Sequence, residues 1–179
     1  MKKDLRIDVR ELEHRPVEFD LAFTSKELDL PDNWSLPGEL RAEGSAELLD
    51  HSGSRTLRVK GRLEGQVAGE CARCLTTFTQ PADQNLDLYF YPADAIDRSE
   101  EVAVSADDLD YGFYEDNGIL LSEVVGEQLQ LWLPMRPLCR EDCRGICPEC
   151  GGNRNEKECS CEDRKVDPRW EALQQLKRN

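Results

Sequence analysis

Residues 143–161 read CRGICPECGGNRNEKECSC, five cysteines in 19 residues, and a separate CARC occupies 71–74. The full spacing is Cys71-x2-Cys74, Cys139-x3-Cys143-x3-Cys147-x2-Cys150 and Cys159-x-Cys161. Eight sulfurs make two sets of four, the donor set that structural zinc prefers. In CPECGG the chain can turn two thiolates onto one ion. Proline shapes that turn, and the glycines permit positive φ and free backbone amides to face the sulfurs. Cys159 and Cys161 then close a cage across the GGNRNEKE loop. Cys71, Cys74, Cys139 and Cys143 form the second set if every cysteine binds metal. The partition stays open, because Cys143 could serve the C-terminal cage and leave Cys139 free.

Three other chemistries compete for these cysteines. A disulfide lattice belongs to an exported protein. The opening MKKDLRIDVR has two lysines but no apolar run behind them, so no export signal is expected and the cytoplasm is the expected location. A redox dithiol needs its first cysteine at a helix N-terminus, where the thiol pKa falls. CARC is followed instead by LTTFT, which favours a strand. Catalytic zinc keeps one position open and often uses histidine. The two histidines, His14 and His51, lie in polar surroundings outside the cysteine motifs and read as surface residues. No nucleophile–base pair and no phosphate-cradling glycine loop is legible, so the protein is expected not to be an enzyme and its metal to be structural.

The elements that must carry these cysteines follow from hydrophobic periodicity. Alternation marks strands in LRIDV (5–9) and VEFDLAF (17–23), and again at Leu40, Ala42, Gly44, Ala46 and Leu48. After a turn at DHSGS it resumes at Leu57, Val59, Gly61, Leu63, Gly65, Val67 and Gly69, with Cys71 in phase. Glycines 61, 65 and 69 predict a bent or bulged strand. Phe78, Leu86, Leu88 and Phe90 predict a further strand, which Pro81 places at an edge or breaks. Leu121, Val124, Val125, Leu129, Trp132 and Leu133 share one helical face, predicting a core helix over 122–133 with Ser122 as N-cap and Pro134 as stop. Asp167 and Pro168 open a short C-terminal helix carrying Trp170, Leu173 and Leu176. The expected fold is α+β: an antiparallel curled sheet, meander or partial barrel, with a core helix and a C-terminal zinc-knuckle segment. The expected domains are 1–134 and 135–179.

Charge narrows the partners. The chain carries −14, yet residues 135–179 hold ten Lys/Arg against nine Asp/Glu, which leaves −15 on the first 134 residues. Naked nucleic acid is repelled by most of such a surface, so RNA contact must be local or an acidic face must meet a basic protein. Arg136, Arg140, Arg144, Arg154 and Arg164, interleaved with the cysteines, are the candidates for phosphate contact, or else solvating charge. Residues 92–117 are strongly acidic and read as a solvated linker. Asp107, Asp108 and Asp110 lack the glycine and terminal glutamate of a calcium loop. The longest apolar stretch, around ILLSEVVGEQLQLWLP, is too interrupted to span a membrane.

CARCL at a strand exit, the acidic stretch, LPMRPLC, CRGICPECGGNRN, the Cys-x-Cys and DPRWEALQQL, in that order, resemble the YceD family, the large ribosomal RNA subunit accumulation proteins of bacteria and plastids. The resemblance runs from about residue 40 and is most specific at 71–75 and 134–176. It implies a cytosolic non-enzyme needed for accumulation or processing of large-subunit ribosomal RNA. It also implies a genetic neighbourhood beside a small basic ribosomal protein. Some relatives keep the first cysteine pair but lack the C-terminal cage; this chain has both. The resemblance carries metal ligation onto Cys71, Cys74, Cys139, Cys143, Cys147, Cys150, Cys159 and Cys161, with two zinc ions as the implied cofactors. A ribosome-assembly module docking on a ribosomal protein or RNA is the leading expectation. A thiol-redox or zinc-responsive regulator is the alternative.

Overall fold

Period-2 burial along four long segments builds the main sheet. The computed structural model describes residues 5–51, 54–93, 111–115 and 118–161. Its strands and helices are β1 (Arg6–Asp8), α1 (Val9–Leu12), β2 (Val17–Phe23), β3 (Trp34–Ser35), β4 (Leu40–His51), β5 (Ser54–Glu70), β6 (Thr77–Pro92), β7 (Tyr111–Tyr114), β8 (Gly118–Leu120) and α2 (Leu121–Trp132). An open six-stranded sheet runs β2-β4-β5-β6-β7, with β3 also on β5, while β1 and β8 form a separate two-stranded pair. The chain divides into two compact units, Met1–Gly69 with Phe78–Met135, and Glu70–Thr77 with Arg136–Asn179.

The alternating positions read from the sequence face the core: Phe19, Phe23, Leu40, Ala42, Ala46, Leu57, Val59, Leu63, Val67 and Leu86 are all buried. Several expectations fail in instructive ways. Gly61 makes no bulge in the β4 ladder, whose antiparallel register runs unbroken from Arg41↔Glu64 to His51↔Ser54. Gly44 and Gly61 face each other there, and a Cβ on either would strike the partner strand's backbone. Close approach selects glycine at that pair. At Gly69 the Trp34 ring lies where a side chain would stand, 2.6 Å from an added Cβ. Trp34 is buried and meets Phe78 edge-on at 5.8 Å.

The sheet is not wholly antiparallel. Tyr111–Tyr114, part of the expected acidic linker, forms β7 and pairs parallel to β6 from Tyr89↔Tyr111 to Pro92↔Tyr114. Tyr91 and Tyr111 meet edge-on at 4.9 Å, and Tyr114 donates its hydroxyl proton to the Arg55 carbonyl at 3.0 Å. Aromatic side chains within YGFY thus supply the packing that an acidic linker lacks. Residues 94–110, including Asp107, Asp108 and Asp110, lie outside the described residues, as does the expected C-terminal helix. β6 runs continuously through Pro81 in a stretch that β7 does not reach, so the missing proline amide leaves no ladder gap on that side.

The opening LRIDV is a three-residue strand followed by a helical turn, capped where Asp8 accepts from the Arg10 amide at 2.8 Å. β1 pairs with β8 rather than the main sheet. Ser122 is not the N-cap of the core helix. β8 runs directly into α2, Leu120 holds the cap position without a side-chain bond, and the Leu121 amide donates to the Leu5 carbonyl at 3.0 Å. A neighbouring backbone carbonyl therefore satisfies the first of the helix's orphan amides. The apolar face is as expected: Leu121, Val124, Val125 and Leu129 are buried, and Trp132 packs partly buried against the core. Among the described residues no helix is long and apolar enough to cross a membrane.

Candidate metal centres

Both cysteine sets lie within the smaller unit. Cys71 and Cys74 come from the β5–β6 connection, and the other six sulfurs from the chain after α2. The structure gathers Cys71, Cys74, Cys139 and Cys143 into one cluster and Cys147, Cys150, Cys159 and Cys161 into another, with the sulfurs of each set within 4.8 Å of one another. Cys143 thus joins the first set and Cys139 is not left over.

Two knuckles share one backbone plan. In the first, the Cys71 amide donates to the Thr76 carbonyl at 3.0 Å and the Leu75 amide returns to the Cys71 carbonyl at 2.8 Å. In the second, the Cys147 amide donates to Gly152 at 2.8 Å and the Gly151 amide returns to Cys147 at 2.9 Å. The residue after the second cysteine must be left-handed to close this loop. Gly151 takes φ +70° without cost, whereas Leu75 adopts φ 60°.

The donor chemistry fits tetrahedral zinc. Zinc–sulfur bonds of about 2.3 Å place tetrahedral thiolates about 3.8 Å apart. Cys71 and Cys143 are 3.8 Å apart and Cys74 and Cys139 3.7 Å. All eight are free thiols, with no disulfide among them.

The electrostatics ask for a cation. Burial pushes the Cys71 thiol up, but the amides of Cys139, Arg73 and Cys74 outweigh it and bring it down to about 6. In the second set the amides of Cys150 and Glu149 hold Cys147 at about 6 against burial. Each set also contains a sulfur pushed the other way. Cys139 rises to about 12 through burial and the neighbouring sulfurs of Cys74, Cys71 and Cys143. Cys161 rises to about 12, chiefly through the Cys150 sulfur and burial. Four thiols this close cannot all ionise beside one another unless a positive ion sits among them.

Residues that the spacing did not single out support the sulfurs. Asn155, in the loop of the second cage, donates its side-chain amide to Cys143 Sγ at 3.3 Å. Its oxygen accepts from the Arg144 amide and from the Arg140 guanidinium, each at 2.8 Å. Asn153 accepts from the Asn155 amide at 2.9 Å and donates to Thr76 Oγ1 at 3.2 Å. Arg73 donates to the carbonyls of Glu141 and Cys143, both at 3.0 Å. Arg154 points a guanidinium nitrogen at Cys147 Sγ, 3.8 Å away. The signal for the asparagines was the GNRN tetrapeptide, whose amide side chains suit local turn and sulfur bonding. Its target is not readable without the fold.

The five arginines proposed for phosphate fare unevenly. Arg140 pairs with Asp142 at 3.2 Å, and Arg144 with Glu158 at 3.4 Å. Arg154 serves Cys147, Arg136 is exposed, and Arg164 lies outside the described residues. His14 is exposed, away from the cysteine motifs.

Uncharacterized proteins of Mycobacterium tuberculosis and Mycobacterium bovis are each 32% identical over 151 residues, covering 77% of this chain and 66% of theirs. One from Mycobacterium leprae is 33% identical over 129 residues, covering 71% of this chain and 56% of its own. The chain therefore spans just under two thirds of the tuberculosis and bovis relatives. No solved structure matches it. The model of one family, described as the large ribosomal RNA subunit accumulation protein YceD, matches residues 59–177, a span that begins later than the motif resemblance but contains all eight cysteines. This chain belongs to the YceD family.

Proposed function

We propose that the protein is a non-enzymatic, cytoplasmic ribosome-biogenesis factor that supports accumulation and processing of large-subunit ribosomal RNA, held by two structural zinc ions. The family match over residues 59–177 carries this reading. Cys71, Cys74, Cys139 and Cys143 hold one ion, and Cys147, Cys150, Cys159 and Cys161 the other. With four sulfur donors per site no position is left for water, so zinc supplies cross-linking rather than catalysis. The product of the fold is a docking surface for the large-subunit precursor, with no membrane and no small-molecule substrate involved.

The charge distribution favours a ribosomal protein over RNA as the direct contact. Arg140, Arg144 and Arg154 are engaged within the chain, and the larger unit is acidic. Depleting the protein should lower mature large-subunit ribosomal RNA relative to small-subunit RNA. Pull-down from growing cells should retain a basic ribosomal protein after nuclease treatment. An unchanged RNA ratio on depletion removes the reading, and unaided cleavage of precursor RNA by purified protein replaces it with an enzyme.

The exposure of Cys150, with Cys159 and Cys161 half-buried, supports a second reading as a thiol-redox or zinc-responsive regulator. Thiol trapping in lysate separates the two: persistent protection of all eight cysteines favours the structural role.

A further inference from the structure

We propose that the groove lined by β6, β7, β8 and α2 is the docking site for a cationic, apolar-anchored segment of a protein partner, a refinement that rests on the assembly-factor reading. The groove encloses about 300 Å³. Its floor is formed by buried Phe90, Tyr114, Ile119 and Val124, and Phe113 stands on its lip with 54% of its surface exposed. Glu115, Glu123 and Glu127 complete the wall together with Arg6 of β1, and all four are exposed.

Charge complementarity decides the occupant. Glu123 and Glu127 are four apart on α2, so their carboxylates stack on one face and repel. α2 contains no lysine or arginine, and Glu115, Glu123 and Glu127 make no ion pair among the described residues. The main sheet treats its acids differently. Arg41 pairs with Asp20, Arg58 with Asp87 and Arg62 with Asp83, each at 2.7–2.8 Å. Three carboxylates against the single guanidinium of Arg6, around an apolar cleft and an exposed aromatic ring, select lysine or arginine flanking a large apolar side chain. The same excess of carboxylate disfavours phosphate, so a protein segment rather than nucleic acid is the occupant.

The test uses the full zinc-loaded chain and a labelled twelve-residue peptide of alternating lysines and alanines carrying one phenylalanine and one leucine. A counterpart with glutamate for every lysine should not bind. The triple variant Glu115→Gln, Glu123→Gln, Glu127→Gln should weaken lysine-peptide binding at least tenfold, and Phe113→Ser severalfold. An equal-charge control at exposed positions, Glu18→Gln, Asp32→Asn, Glu39→Gln, should change it less than threefold. Equal losses in the two triple variants would mean attraction to overall acidity and overturn the proposal. Tenfold tighter binding in Trp170→Ala would make this chain's own tail the occupant, with the same consequence. This peptide readout involves no ribosome, so the groove can fail while the ribosomal RNA measurement stands, and the reverse.

Discussion

The two sulfur clusters use the same ligands and the same knuckle, yet they are built from the chain in opposite ways. Cys147, Cys150, Cys159 and Cys161 come from one short segment, with Cys150 exposed and Cys159 and Cys161 half-buried. Cys71, Cys74, Cys139 and Cys143 join two segments 65 positions apart at the Cys74–Cys139 contact, and three of the four are buried. A cage closed within a short loop restricts little of the unfolded chain and can stay open to water. One that closes a long loop restricts more of the unfolded chain, and here its sulfurs are the more buried and also take side-chain donors. The second cage's loop supplies one of those donors, Asn155, so the exposed site also braces the buried one.

The largest effect should come from removing metal. Structural zinc in small cysteine sites contributes apparent free energies of about 10–16 kcal/mol. A strong chelator should therefore abolish hydrogen-exchange protection across Cys71–Thr76 and Cys139–Cys161, while β4 and β5 keep theirs. Elemental analysis should find two zinc ions per chain, and stepwise release should empty the exposed cage first. Simultaneous release of both ions, or an ordered segment without metal, would break the contrast between the sites.

A smaller effect tests the brace. Asn155→Ala removes the donor to Cys143 and should weaken zinc at the buried cage by about tenfold, the lower end for a residue supporting a ligand. Competition against a chromophoric chelator reads this directly, and Asn155→Asp should not restore it because a carboxylate cannot donate. Loss confined to the exposed cage would reverse the assignment.

Smaller still is the exchange between knuckles. Leu75 is 56% exposed, so Leu75→Gly gives up little burial while relieving a left-handed leucine. Relief of about 1–2 kcal/mol, less the entropic cost of glycine of about 0.5–1 kcal/mol, predicts a modest gain in thermal stability. Gly151→Leu should lose a similar amount. Opposite signs at equivalent positions would show that the two loops share one geometry.

The smallest effect lies on the sheet and is a pH dependence. Hydrogen bonds from Arg62 and Arg58 hold the carboxyls of Asp83 and Asp87 below the ordinary carboxylate range. A depressed folded pKa contributes stability that is present above the unfolded value and lost as pH falls through the folded one. Asp83→Asn with Asp87→Asn should therefore flatten the acid limb of the stability profile below about pH 4: the variant's deficit is largest near neutrality, vanishes in acid, and is small throughout because both pairs are exposed.

Much of this architecture was legible locally. Alternation from Leu40 to Ala46 and from Leu57 to Val67 marks core-facing strand positions, because each buried side chain advertises its own environment. The face of α2 reads equally well, and CPECGG announces a cysteine knuckle by composition alone. Features set by a partner segment escaped. Ser122 looks like a cap until Leu5 is seen to accept the Leu121 amide, and Gly61 looks like a bulge until Gly44 is seen across the ladder. YGFY is lost in an acidic stretch until β6 lies beside it.

By itself the sequence determined the inventory: strands, a core helix, eight sulfurs enough for two ions, and an acidic body. Only the tertiary structure decided which sulfurs share a cluster, that Asn155 of one loop reaches Cys143 of the other site, and that Glu115, Glu123 and Glu127 surround one cleft. Periodicity and ligand count are properties of neighbouring residues, whereas each of those decisions depends on distances between segments that no local pattern encodes.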